Sequence, residues 1–335
     1  MTNRFLQHGM KISGALVISG LLITAACTQV NPEPQQAAAP VAPAGESGKE
    51  QAPLRTKEVF DQAKYKDRLT IRYFHMPNKE VATGDSILII TPDGKTMLID
   101  AGIPEAGSQI VQYLDQLGIQ TLDIAFNTHP HSDHIGGYAS ILAKKEAKAF
   151  YSENLPYTSS SAYRNAMAQV EKKQIPHRTL EEGDTFELGE HVKFEVFSPA
   201  KGTLPDAVKT FDTSVLNANS LVIKMTYKNS SFLFPADIYK DKELELVELK
   251  GKSLDSDMVH APHHGNATSS SPSFVETVSP QVAVLSSNIF NNLQILQRYE
   301  RNNAKVYSTG LHGNILIASD GSKLDVVTEK DWSLK

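Results

Sequence analysis

The sequence predicts a layered α/β fold, and three observations carry that expectation. Short apolar runs of strand length recur at Ile87-Leu88-Ile89-Ile90, Leu122 to Phe126, Leu221 to Tyr227 and Val282 to Leu285. Helical spacing intervenes, at Ile110, Val111, Leu114 and Leu117 and across Ser159 to Lys173. The alternation holds in both halves of the chain, as layers of helix on sheet require.

The elements follow in chain order. Residues 1–26 read as a secretory signal: Arg4 and Lys11 precede an apolar run from Ile12 to Ala26 that is short for a membrane span. Small residues Thr24, Ala25 and Ala26 lead directly into Cys27, the single cysteine among 335 residues. This junction resembles a bacterial lipobox, although Thr stands where Leu is commoner. The resemblance implies a lipidated Cys27 at the mature N-terminus and an extracytoplasmic protein anchored to a bacterial membrane.

Residues 27–54 are rich in Ala, Gln and Pro with no hydrophobic period. Such a segment offers no core and reads as a disordered tether spanning on the order of 30 Å. The domain proper is expected over 55–335. In it, Pro92-Asp93-Gly94 turns the Ile87–Ile90 run back into Met97-Leu98-Ile99, and Gly118 stops the first helix. Phe232 to Phe234 and Met258 to Ala261 add two further strands.

Composition narrows the function. Apolar residues make up 40% and charged residues 21%, ordinary for a protein with a real core. The formal net charge of −5 weighs against extended, sequence-independent binding of a polyanion. With one cysteine, any disulfide framework within the chain is excluded, and metal chemistry in the domain must come from His, Asp and Glu.

The richest segment is Asn127-Thr128-His129-Pro130-His131-Ser132-Asp133-His134-Ile135-Gly136-Gly137. Three imidazoles and a carboxylate within six residues converge only on a tight loop after a strand, and both groups suit zinc and similar divalent ions. A lone histidine would be an ordinary turn residue; this spacing is far more specific.

At this point the chain resembles the metallo-β-lactamase superfamily, with its H-x-H-x-D-H signature. The resemblance implies a four-layer αββα sandwich with the metals at one edge. It assigns His129 and His131 to one metal, and Asp133 and His134 to the second. Leu98-Ile99-Asp100-Ala101-Gly102 matches a strand-end motif whose carboxylate orients a ligand histidine from behind; by itself Asp100 reads equally as a turn residue. Phe234-Pro235-Ala236-Asp237-Ile238 matches the segment whose Asp bridges the metals. Pro262-His263-His264-Gly265 matches the last ligand motif, with His263 the expected second-site ligand and His264 expected to line the substrate pocket.

Within the superfamily, the chain is most similar to the hydrolase domain of ComEC-type competence proteins, over about residues 69–327. The likeness rests on Gly84-Asp85-Ser86, on Pro-His-His-Gly followed by Ser269 to Ser271, on Asn219-Ser220-Leu221 and on Gly313-Asn314-Ile315. The chain lacks the histidine that many superfamily members carry before the strand at Leu221. That leaves the first site short of a ligand, so one or two metals are expected, zinc first and manganese as the alternative.

The implied function is hydrolysis by a metal-activated hydroxide, with phosphoesters or phosphodiesters as the first expectation. Asp133 would orient the nucleophile, Asp237 would hold the metals and His264 would contact the leaving group. Candidate substrates are a nucleic acid or a phosphorylated envelope polymer, and no protein partner is evident. The alternatives are hydrolysis of another ester, thioester or lactam, and a non-catalytic envelope binding module that kept the fold. Fold alone does not choose among them.

Overall fold

The computed structural model describes residues 54–333 apart from Lys79 and Phe211. The expected signal segment, Cys27 and the tether, save Leu54, lie outside the described residues.

Two sheets form the centre. The first runs in the order Leu324–Thr328, Ile315–Ser319, Leu69–Tyr73, Ile87–Ile90, Thr96–Ile99, Ile124–Phe126, Phe150–Ser152 and His177–Thr179. The second runs Lys305–Ser308, Val282–Leu285, Met258–His260, Ser230–Phe234, Val222–Tyr227, Val192–Ser198 and Thr185–Glu187. Each sheet is mixed: Thr96–Ile99 pairs parallel with Ile124–Phe126, and Ser230–Phe234 parallel with Met258–His260. Both junctions carry site residues at their strand ends.

Strand alternation explains the layers. Ile87, Ile89, Met97 and Ile99 point into a core shared with Ile223, Met225, Phe232 and Phe234 of the other sheet. Leu88 and Leu98 point the other way, against Ile110, Leu114, Tyr138 and Ile141 of the helices Gly107–Gln116 and Tyr138–Lys144. Leu233, Val259 and Ala283 face Leu246, Phe274 and Leu296 of three helices on the far side. Helix, sheet, sheet and helix therefore stack in that order, the αββα sandwich.

Local deviations have physical reasons. The expected strand Leu122 to Phe126 is split at Asp123, whose carboxylate accepts from the Thr96 backbone N–H: Thr121–Leu122 pairs with Glu146–Ala147 in a small two-stranded sheet, and Ile124–Phe126 joins the first large sheet. The helix expected across Ser159 to Lys173 spans Ser161–Lys172, with the Ser160 hydroxyl capping the Tyr163 N–H. The helix Lys240–Lys250 has no apolar stripe to announce it; it buries only Glu243 and Leu246. Glu243 spends its carboxylate on the backbone N–H groups of Ser270 and Ser271, pinning the segment that follows the His-His turn.

Candidate metal centre

Five loops at strand ends build the site. Asp85 precedes Ile87–Ile90, Asp100 follows Thr96–Ile99, the His129–His134 loop follows Ile124–Phe126, and Asp237 follows Ser230–Phe234. His263 and His264 follow Met258–His260. Backbone hydrogen bonds stitch the loops together: Gly102 N–H donates to Asp85 O at 2.8 Å and Ala101 N–H to His134 O at 2.7 Å. The His263 N–H donates to Ala236 O at 2.9 Å, tying the His-His turn to the Asp237 loop.

These approaches are close enough to demand glycine. A Cβ on Gly84 would stand 1.8 Å from the Asp133 carbonyl oxygen, and one on Gly137 would stand 2.0 Å from that of Ala101. Gly136 and Gly137, expected to let the backbone leave the ligand loop, are thus required by contact distance rather than by unusual dihedrals.

The donors converge on one oxygen. Asp237 Oδ2 lies 3.2 Å from His134 Nε2, 3.3 Å from His264 Nε2, and 3.9 Å from both His129 Nε2 and His263 Nε2. Asp237 Oδ1 is buried and has no hydrogen-bond partner among the described residues. Two groups are spaced to hold a cation: Asp85, His134, Asp237 and His264, and His129, His131 and Asp237. A buried carboxylate with one oxygen unspent, ringed by imidazole nitrogens and with no thiolate, is a donor set that fits zinc, manganese or a similar divalent ion.

Second carboxylates hold the imidazoles from behind. Asp100 Oδ2 lies 2.8 Å from His134 Nδ1 and accepts from the Thr128 hydroxyl at 2.7 Å, while Asp100 Oδ1 accepts from the Thr128 N–H. The Thr128 hydroxyl in turn lies 3.0 Å from His129 Nδ1. Asp85 plays a similar part for His264, with Oδ1 at 3.0 Å from its Nδ1, and its Oδ2 lies 2.9 Å from His260 Nε2.

The electrostatics show a site built for positive charge. Burial opposes ionisation of Asp237, yet His264 and His134 beside it hold its carboxyl well below the usual range. Burial likewise opposes charge on His264 and His134; Asp237 together with Asp85 raises the first well above the ordinary histidine range, and Asp237 together with Asp100 raises the second. His129, fully buried and crowded by His134 and His131, is pushed well down. Asp133, His263 and His264 keep side chains 29%, 19% and 15% exposed and so form the mouth of the site.

Of the sequence-proposed ligands, the structure places His129, His131, His134 and Asp237 in the two spaced groups, with Asp100 behind His134; Asp133 and His263 belong to neither group and lie 3.9 Å from His134 Nε2 and Asp237 Oδ2, respectively. It places His264, expected to line the pocket, in the cluster with His134 and Asp237. His263 stands farther from Asp237 and contacts Thr268 through Nδ1 at 2.6 Å. His260 is buried against the Asp85 carboxylate and stacked on Tyr73. The strand ends at His260, and the chain turns through positive φ at His263 and His264. Asn219, just past the helix Thr213–Ala218, donates its side-chain amide to Val215 O. Asp85 was visible in sequence only as part of Gly84-Asp85-Ser86, with no ligand spacing to mark it.

Residues 81–287 match the family model described as the metallo-beta-lactamase superfamily. Among curated proteins, the chain is 22% identical over 260 residues to ComE operon protein 3 of Bacillus subtilis, covering 70% of this chain and 32% of that protein. It is 26% identical over 240 residues to competence protein ComA of Neisseria gonorrhoeae, covering 70% of this chain and 30% of that one. The chain therefore spans about a third of the length of these relatives. A solved structure described as a metal-dependent hydrolase from Parabacteroides distasonis is 16% identical, with a TM-score of 0.42, covering 67% of this chain and 89% of that one. The family match over most of the folded residues, on a fold whose loops gather the signature histidines around one aspartate, makes this chain a metallohydrolase of the metallo-β-lactamase superfamily, similar to ComEC-type competence proteins.

Proposed function

We propose that the protein is a phosphoesterase, with a phosphodiester of a nucleic acid as the leading substrate class, acting outside the cytoplasm from a lipid anchor at Cys27. The single observation that carries the hydrolytic reading is the ring of four imidazole nitrogens around Asp237 Oδ2. When bound there, one or two divalent ions, zinc first, supply Lewis-acid polarisation of a phosphoryl oxygen and an acidified water.

The chain's own residues do the rest. His129, His131, His134, His264 and Asp237 offer the ligand atoms, and Asp100 and Asp85 fix the ring orientations from behind. Asp133, the most exposed carboxylate of the set, orients the attacking water through Oδ2. Choice of a phosphodiester is supported by the likeness to competence protein ComA, since taking up DNA brings a protein against a phosphodiester backbone. The extracytoplasmic reading rests on the N-terminal sequence. No described helix is long and apolar enough to cross a membrane.

The test is hydrolysis of bis(p-nitrophenyl) phosphate and of single-stranded DNA by the metal-loaded mature protein. Turnover that EDTA abolishes and zinc or manganese restores supports the reading. Failure on both substrates, with thioester or lactam hydrolysis in their place, overturns the phosphoester assignment.

A further inference from the structure

Strand alternation puts an arginine where an apolar residue belongs. Leu69, Ile71 and Tyr73 of the strand Leu69–Tyr73 face the core between the sheets, so Thr70 and Arg72 face the helical layer. There Arg72 is 1% exposed. Its Nε donates to Val59 O at 2.9 Å and its Nη1 to the Thr70 hydroxyl at 2.8 Å, both neutral acceptors. Its Nη2 is buried with no hydrogen-bond partner among the described residues.

No carboxylate compensates this charge. Burial pulls the guanidinium down to about 10, and Tyr65 and Asp61 favour its charge through space without bonding it. It therefore stays protonated at neutral pH. A charge taken out of water without a counter-charge is costly, and a fully buried arginine is ordinarily paired.

Arg72 lines a cavity of about 220 Å³ together with Gln62, Lys66, Arg68, Thr70 and Thr91. None of the lining residues is acidic. Arg68 is paired with Asp325, while Lys66 is exposed and, like Arg72, forms no ion pair among the described residues. Asp93, in the adjoining turn, is spent on the Thr91 hydroxyl and the Glu190 N–H. The lining thus carries two positive charges that no described side chain neutralises. The cavity is also remote from the metal centre: Asp85 precedes the strand Ile87–Ile90 and Thr91 follows it, a separation on the order of 20 Å.

We propose that this cavity is a binding site for a phosphate group, free or carried on a small monoester, with the Arg72 guanidinium as its central donor and Lys66 at its rim. A planar guanidinium suits the paired oxygens of such a group. A dianion matches the two uncompensated cations, where a carboxylate would leave one unmatched. The site is separate from the hydrolytic centre and stands whether or not that centre cleaves phosphoesters.

Calorimetry tests it. The mature protein is titrated with inorganic phosphate, glycerol 3-phosphate and acetate, once loaded with zinc and once in EDTA, so that phosphate held by metals is told apart. In EDTA, wild type is expected to bind one phosphate or one glycerol 3-phosphate per chain, the tighter of the two naming the natural form, and acetate more weakly than either. Arg72→Met should abolish this binding and keep the fold, since an apolar side chain can replace a buried charge without loss of stability. Loaded with zinc, that variant should bind one phosphate fewer than wild type. Lys66→Ala, at an exposed position, should weaken binding about threefold. No binding by wild type in EDTA at millimolar phosphate overturns the proposal, as does acetate binding as tightly as phosphate. Unchanged affinity in Arg72→Met and Lys66→Ala also overturns it, and should Arg72→Met fail to fold, unchanged affinity in Lys66→Ala alone does so.

Discussion

His134 Nδ1 lies 2.8 Å from Asp100 Oδ2, with both side chains buried. The same carboxylate accepts from the Thr128 hydroxyl, which touches His129, so one aspartate sets the orientation of two imidazoles from different turns of the ligand loop. Asp100→Asn keeps the shape and removes the charge. We expect metal affinity to fall by about 10- to 100-fold with little change in fold. Zinc titration of the apo variant measures it; affinity within twofold of wild type would show that the contact is only structural.

His260 and Asp85 form the second arm of this support. His260→Leu removes one of the two imidazoles on Asp85 and leaves a buried carboxylate oxygen without its partner. The expected cost is about 1–3 kcal/mol of stability, together with weakened metal binding through His264. Thermal unfolding with and without zinc reads both effects. A variant matching wild type in each would remove Asp85 from the site's support.

Gly84→Ala should be far more damaging than an ordinary glycine change. Gly84 sits at φ 73°, and its Cβ would overlap the Asp133 carbonyl, so the ligand loop must shift. Loss of most bound metal is expected, read by metal analysis of the purified variant. Full occupancy would mean that the two loops separate at no cost.

Arg55 ties the N-terminal end of the described residues to the C-terminal segment. The Arg55 N–H donates to Glu329 O at 2.9 Å, and its guanidinium bonds Thr328 and Asp331. A chain starting at Arg55 should unfold at the temperature of the full mature protein. One starting at Asp61 also loses the buried Val59 and Phe60 and should unfold several degrees lower. Equal midpoints for all three would show that this contact adds nothing.

Lipidation at Cys27 is checked by mass spectrometry of the membrane fraction. A diacylated N-terminal cysteine is the expected species, and a mature chain beginning elsewhere contradicts the anchor.

Much of this fold and site is legible in the sequence, and what escaped did so for identifiable reasons. The strands Ile87–Ile90 and Val282–Leu285 are buried on both faces and read as plain apolar runs. His129 to His134 announce themselves because they lie together in the chain. Asp85 does not, since its partners His260 and His264 are 175 and 179 residues away and only folding joins them. The place of His264 in the cluster with His134 and Asp237 was hidden for another reason: the strand ends at His260, and His263 and His264 lie in a turn with positive φ, where strand alternation assigns no side-chain direction. Lys240–Lys250 was invisible because a helix whose buried residues include a carboxylate shows no apolar period.

The central claim is that Asp237 stands between two cation positions. Anomalous diffraction from crystals of the wild-type domain soaked in zinc tests it most directly. Two peaks within ligand distance of Asp237 are predicted, one beside His129 and His131 and one beside His134 and His264. A map with no peak near Asp237, in crystals that take up zinc elsewhere, would contradict the account.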